Sequence, residues 1–352
     1  MNKLASFMLI GLFSLFLSHA DEVISIGALG EEGELISPQE IKEGPDGNIY
    51  VYDQQDGHIK VYTPQGKFLR KIGGKGQGPG EIQRVEDVSF GFLPDEKLYF
   101  TEFFGGHPWI TMMELSGEFV RVVKLNFKER FGLRWLHPLE DGNFLAQVSF
   151  VGKPKKEKDY FLHSFPIKLL YLDKNGTPRK ELIATDYYIR ISYLSGGGDA
   201  GIPFAPHFSW CIYKDNTVIF ADGLSNAFKV YDFEGTVVGE VNTPLPEPEK
   251  VTGKDLDSWR REAKEALQDR DGGAWYNQFG KVIEEYKKSI YNVKPILSGL
   301  YRTPEGNILA AGIWDKGKDT RRYWLLDKEG KALVELNVPI AQIHIAKSFV
   351  FY

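Results

Sequence analysis

The sequence has a single cysteine, Cys211, so no intramolecular disulfide can form and the fold must rest on a packed core. A chain of 352 residues is long enough to build one. Positive charge is not in excess either: 43 Lys and Arg face 48 Asp and Glu, for a net charge of −5. Without a basic footprint, nucleic acid is excluded as a partner class. Catalytic and cofactor signatures are also missing. No serine elbow, His-Glu-x-x-His pair or EF-hand loop occurs. The glycine run GGKGQGPGE (73–81) lacks the Gly-Lys-Ser/Thr ending of a phosphate loop and opens onto a strand, not a helix. These absences predict no cofactor, no bound metal and no catalytic residue, and Cys211, inside FSWCIY, reads as a buried small hydrophobe.

The one long apolar run lies at the start, from Leu4 to Leu17, between Lys3 and Ser18-His19-Ala20. A basic start, an apolar stretch and small residues at the end describe a cleavable export signal over residues 1–20. The run falls short of the roughly 20 residues a membrane span needs. The mature chain, 21–352, is expected to be periplasmic or extracellular, with no membrane span and no cysteine at its start for lipid attachment. Losing Lys3 takes its net charge from −5 to −6.

What the chain has in quantity is tight turns leading into short β-prone runs. PDGNIYVYD at 45, PDEKLYFTE at 94, EDGNFLAQV at 140, KDNTVIFAD at 214 and PEGNILAAG at 304 share one grammar, and AKSFVFY at 346 is a degenerate copy. Each begins with the acid or glycine that a hairpin turn requires. A second hairpin follows each of the five, as in IKVYTPQGKFLRKI and FKVYDFEGTVVGEV. Four strands in about 40–50 residues make one propeller blade. The pattern predicts an all-β, six-bladed β-propeller whose last blade is incomplete, with EVISIGAL (22–29) adding an outer strand to close it.

The segment PDGNIYVYD…HIKVYTPQGKFLRKIGGKGQGPGEI resembles the NHL repeat, and the whole chain looks like the exported six-bladed propellers of bacteria that carry it. The resemblance is close over residues 36–85 and grammatical over the other blades. It implies a propeller and leaves function open, since members include binding scaffolds, RNA readers and a few lyases and hydrolases.

Residues 248–290, between blades 4 and 5, differ in kind. Leu256, Trp259, Ala263 and Leu267 recur at helical spacing, as do Trp275, Phe279, Val282, Ile283 and Tyr286. A helical hairpin with Asp255 as N-cap is expected there.

In each blade the first-to-second and third-to-fourth turns share one end, and the other connections share the opposite end. All the tight turns fall at the first end and all the long insertions at the second, which marks the second as the functional side. Its aromatic and polar residues, Phe104, His107, Trp109, Arg134, Tyr188, His207, Trp314 and Arg322, are the candidate ligand-binding set. Counting nine residues back from the Asn48-equivalent turn position picks out Gln39, Val88, Arg134, His207 and Ser298 as channel-mouth residues. The expected function is a monomeric, non-catalytic propeller binding a small molecule, glycan or protein on this face. The alternative is a metal-assisted lyase or lactonase around His207, Arg134 and Asp87.

Overall fold

A computed structural model gives the fold and describes residues 25–102, 109–127, 131–150, 152–156, 160–193, 199–214, 216–268, 283, 290–303, 305–315, 320–339, 344–345 and 350–351. They form two compact units. One takes in the described residues up to Phe92 with Glu96–Phe100 and Met112–Arg121. The other holds Leu93–Asp95, the described residues of Thr101–Thr111 and those from Val122 onward.

Blade 1 is an antiparallel meander of β1 (Pro38–Glu43), β2 (Ile49–Asp53), β3 (His58–Tyr62) and β4 (Phe68–Gly73). Blade 2 repeats it with β5 (Val88–Phe92), β6 (Leu98–Glu102), β7 (Trp109–Met113) and β8 (Phe119–Lys124). The next eight strands are β9 (Phe131–Pro138), β10 (Phe144–Phe150), β11 (Lys155–Lys156), β12 (Tyr160–Ser164), β13 (Ile167–Leu172), β14 (Pro178–Thr185), β15 (Tyr188–Tyr193) and β16 (Asp199–Gly201). They divide into blade 3, ordered β9-β10-β13-β14, and an accessory sheet, ordered β11-β12-β15-β16. Blade 4 is β17 (Ser209–Ile212), β18 (Thr217–Ala221), β19 (Ala227–Asp232) and β20 (Val237–Asn242). Blade 5 is β21 (Leu297–Arg302), β22 (Ile308–Asp315), β23 (Thr320–Leu326) and β24 (Ala332–Pro339).

The expectation of a six-bladed, NHL-type propeller is therefore corrected: the described residues build five four-stranded blades. After Pro339 the described residues contribute a two-stranded ladder, β25 (His344–Ile345) with β26 (Val350–Phe351). The proposed closing strand also fails over its described part. Residues 25–29 are irregular, and Leu35 donates its N–H back to the Gly27 carbonyl. The carbonyls of Gly33 and Glu34 accept from Tyr62 Oη and Lys60 Nζ, which ties this segment to the end of blade 1.

The turns explain themselves locally. Asp46 accepts from the Asn48 backbone and side chain, and Asp141 does the same for Asn143. Such Asx turns hold the chain for the left-handed residue between them, Gly47 or Gly142. Apolar strand faces then meet between consecutive blades: Tyr52, Ile59, Ile72, Phe90 and Phe100 in the first unit, Phe228, Val230, Leu297, Ala310 and Trp324 between blades 4 and 5. The joints also use backbone. The turn glycines Gly117, Gly176, Gly235 and Gly330, all at positive φ, rest on the fourth strand of the preceding blade. A Cβ at Gly235 would stand 2.6 Å from the Glu181 carbonyl oxygen.

The first expected helix forms as α1 (Gly253–Gln268). Its cap is Thr252, not Asp255. Thr252 Oγ1 accepts the Asp255 N–H at 3.3 Å and Asp255 accepts the Thr252 N–H at 2.8 Å, a reciprocal capping box. A hydrogen bond donated by the Thr252 hydroxyl at 2.6 Å, with the Thr252 N–H and Lys294, 3.1 Å away, lowers the Asp255 carboxyl to about 2. Leu256 and Trp259 pack with Leu162 and Ile202 of the accessory-sheet region, so the helix leans on that sheet. Of the second expected helix only Ile283, helical and buried, lies among the described residues. The signal sequence lies outside them, and no helix among them is long and apolar enough to cross a membrane.

Candidate functional site

The asymmetry between blade ends is visible in blade 3. Its tight turns, at Gly142 and Gly176, need only four or five residues, whereas the connections at the other end fold into the accessory sheet. Tyr188 opens β15 of that sheet, its backbone opposite Ser164. Neighbouring Tyr187 donates to Asp222 at 2.9 Å, and burial with that carboxylate drives its phenol far above the ordinary range. Tyr187 is thus a fastener for the insertion.

The remaining predicted residues scatter. Phe104 and His107 lie outside the described residues. Trp109 is half-buried at the start of β7. Trp314 stands opposite Arg321 across the β22–β23 ladder, and of its side chain nothing is described. Asp87 closes a single 3-10 turn, Val85–Asp87.

Counting back nine residues proves to mark a real feature. Gln39, Arg134 and Ser298 are each the extra residue of a β-bulge on the first strand of their blade. Arg134 is exposed, and its Nε donates to Ser149 Oγ at 3.2 Å. In blade 4 the count slips. Asn216, at φ +52, takes the left-handed place that glycine holds in blade 1, and Thr217 rather than Asn216 carries the carbonyl that closes the turn. The bulge-equivalent residue is then Phe208, with His207 one position earlier.

At the built-up end of blades 4 and 5, polar groups do converge. His207 donates its backbone N–H to the Asp222 carbonyl at 3.1 Å. Its ring shows surface to solvent, yet surrounding protein and then the Arg321 charge hold its imidazole below the ordinary value. Arg321 is half-buried on β23. Its Nε is fully enclosed with no hydrogen-bond partner, and no carboxylate among the described residues pairs with it. A buried guanidinium N–H without an acceptor is costly and calls for an explanation. On the opposite face of β23, Arg322 lines a cleft of about 220 Å³ with Ile296, Ile313, Thr320, Trp324 and Asn337. The Arg322 guanidinium lies 5.6 Å from the Trp324 ring centre, and its Nε is 3.4 Å from exposed Glu335. The sequence places Arg321 on this end with Trp314 and Arg322, but only Arg322 and Trp314 enter the candidate ligand-binding set.

Cys211 is buried, which pushes its thiol up to about 12 and leaves no thiolate for catalysis. Among the described residues no three His, Cys, Asp or Glu side chains gather as a metal site.

A family described as "6-bladed beta-propeller" (DUF5128) matches residues 31–243, well over half the chain, and the chain belongs to it. The family's description counts six blades where the described residues here form five. Among curated proteins none matches the sequence. Similar solved structures include a candidate exported protein from Bacteroides fragilis (14% identity, TM-score 0.45, covering 90% of this chain and 75% of that one). A member of the duf4221 family from Bacteroides vulgatus (10%, 0.44, 86% and 82%) and virginiamycin B lyase from Staphylococcus aureus (10%, 0.39, 88% and 85%) are others.

Proposed function

With membership of that propeller family as premise, we propose that the protein is an exported binding protein that receives the anionic group of a polar ligand at the built-up end of blades 4 and 5. The observation that carries this reading is Arg321, whose enclosed Nε has no acceptor within the chain. An anion there would supply the missing bond and a charge partner. Arg322, on the opposite face of β23 with Trp324 and Asn337 beside it, adds a second cationic cleft with an aromatic wall at the same end of the blade. Acidic glycans and peptides with a free carboxylate have the required chemistry. An array carrying acidic members and their neutral counterparts tests it: wild type should retain the acidic members, and an Arg321→Met, Arg322→Gln double variant with unchanged Tm should lose them. Equal retention by the double variant overturns the reading.

A second reading is catalytic, because surrounding protein and then the Arg321 charge lower the His207 imidazole and so favour its proton-accepting form. A lyase or lactonase would use it as base beside the Arg321 charge. Turnover of a panel of lactones, with and without chelator, checks this against His207→Ala; no turnover above that variant removes it.

A further inference from the structure

A separate cluster lies on the first strands of blades 3 and 4. Trp135 on β9 is 54% exposed although it is the largest side chain of its strand. It directly follows the Arg134 bulge, and bulges re-aim the side chains beside them. Its cross-strand partner is Gln147 of β10, so the two side chains are neighbours on one face. Gln147 is buried, and its Oε1 accepts the Trp210 indole N–H at 2.8 Å. An indole N–H only donates, so the amide oxygen must face it. The Gln147 amide nitrogen then points away and has no hydrogen-bond partner among the described residues.

The equivalent position in other blades is used differently. Blade 1 has Glu40, whose carboxylate accepts the Phe90 N–H at 3.0 Å; blade 4 has buried Ser209; blade 5 has Gly299. Only blade 3 presents a large ring to solvent there.

We infer that Trp135 and the Gln147 amide form a second ligand site, built for a neutral sugar ring. The C–H face of a pyranose stacks on an exposed indole, and its hydroxyls take hydrogen bonds from a fixed amide donor at the ring's edge. Trp210 fixes that donor by holding the amide oxygen. The site is distinct from the Arg321 end and needs no charged group on the ligand.

The test titrates the full chain with maltose and with cellobiose, followed by saturation-transfer NMR and calorimetry, with glucuronate as the charged arm. Saturable binding in the millimolar range is expected for at least one neutral disaccharide. Trp135→Ala, an exposed change that leaves Tm in place, should weaken it about tenfold or more. Gln147→Glu should weaken it too, since a carboxylate still accepts from Trp210 but donates nothing. The Arg321→Met, Arg322→Gln variant should bind both sugars as wild type does, which separates this site from the proposed anion site. Absence of saturable binding up to about 20 mM, or equal affinity in Trp135→Ala, overturns the inference. Loss of sugar binding in the arginine variant alone would place the sugar elsewhere and overturn it as well.

Discussion

Lys60 in blade 1 and Arg321 in blade 5 are both cations on the third strand of a blade, and their surroundings differ completely. Lys60 is 1% exposed, and its Nζ lies 2.7 Å from Asp53 and 2.9 Å from Asp56. Asp53 also accepts the N–H groups of Ile36 and Ser37 at 2.8 and 2.9 Å, so its capacity is filled by the chain itself. Arg321 has a buried nitrogen and no such answer. The difference separates structural from functional charge: one cation is finished by folding, the other keeps a bond to give.

The largest effect expected from this contrast is on Lys60. Lys60→Met strands the buried Asp53 carboxylate, at a cost of about 3–5 kcal/mol. Urea unfolding measures it; a loss near zero would break the comparison. Acid comes next. Burial alone would raise the Asp53 carboxyl, but the Lys60 and backbone hydrogen bonds outweigh it, and its folded value lies below the ordinary one. The stabilisation is therefore present above about pH 4 and fades as pH falls through the lowered folded value. Without Lys60 a large part of what lowers the Asp53 carboxyl is gone, its folded value rises, and protonating it costs less. The stability gap between wild type and Lys60→Met should then narrow by about 1 kcal/mol or more between neutral pH and acid, and a constant gap would contradict the assignment.

Arg321→Met should behave oppositely. Removing an enclosed guanidinium N–H that has no acceptor relieves its cost, so stability should hold or rise. A loss comparable with that of Lys60→Met would show a hidden structural partner. The smallest expected effect is on His207: with the Arg321 charge gone its imidazole pKa should rise and still remain under the ordinary value, because the surrounding protein is the larger cause. Proton NMR titration resolves the shift, and a fall would reverse the sign argued here.

The blade grammar was legible because each hairpin turn needs a particular residue chemistry, visible as Asp46-Gly47-Asn48 or Asp141-Gly142-Asn143. Where another residue takes the left-handed place, as Asn216 does, the register reading slips by one and moves His207 away from the bulge. The accessory sheet was not legible. β12 and β15 pair across an entire hairpin of blade 3, and β11 is only Lys155–Lys156, so local pattern carries no trace of it. The sixth blade was read from a turn-like heptapeptide, and among the described residues it amounts to a two-stranded ladder. The helix was found by spacing, and its cap was misplaced because Thr252 and Asp255 share the bonding that marks a helix start. At the candidate sites, sequence reached Arg134, His207 and Arg322. It named Arg321 on the built-up face without singling it out, since an enclosed nitrogen is invisible in sequence, and it missed Trp135 and Gln147, whose juxtaposition comes from register between strands.

The turn glycines that rest on the preceding blade carry one more consequence. At Gly176 and Gly235 the nearest atom of the neighbouring sheet is main chain, so the coupling there is little affected by side-chain substitutions. A module could be duplicated, deleted or exchanged and still engage whatever comes before it, provided its turn keeps the one residue without a side chain. Module number then becomes a quantity that relatives can vary cheaply, while the geometry of each junction stays the same.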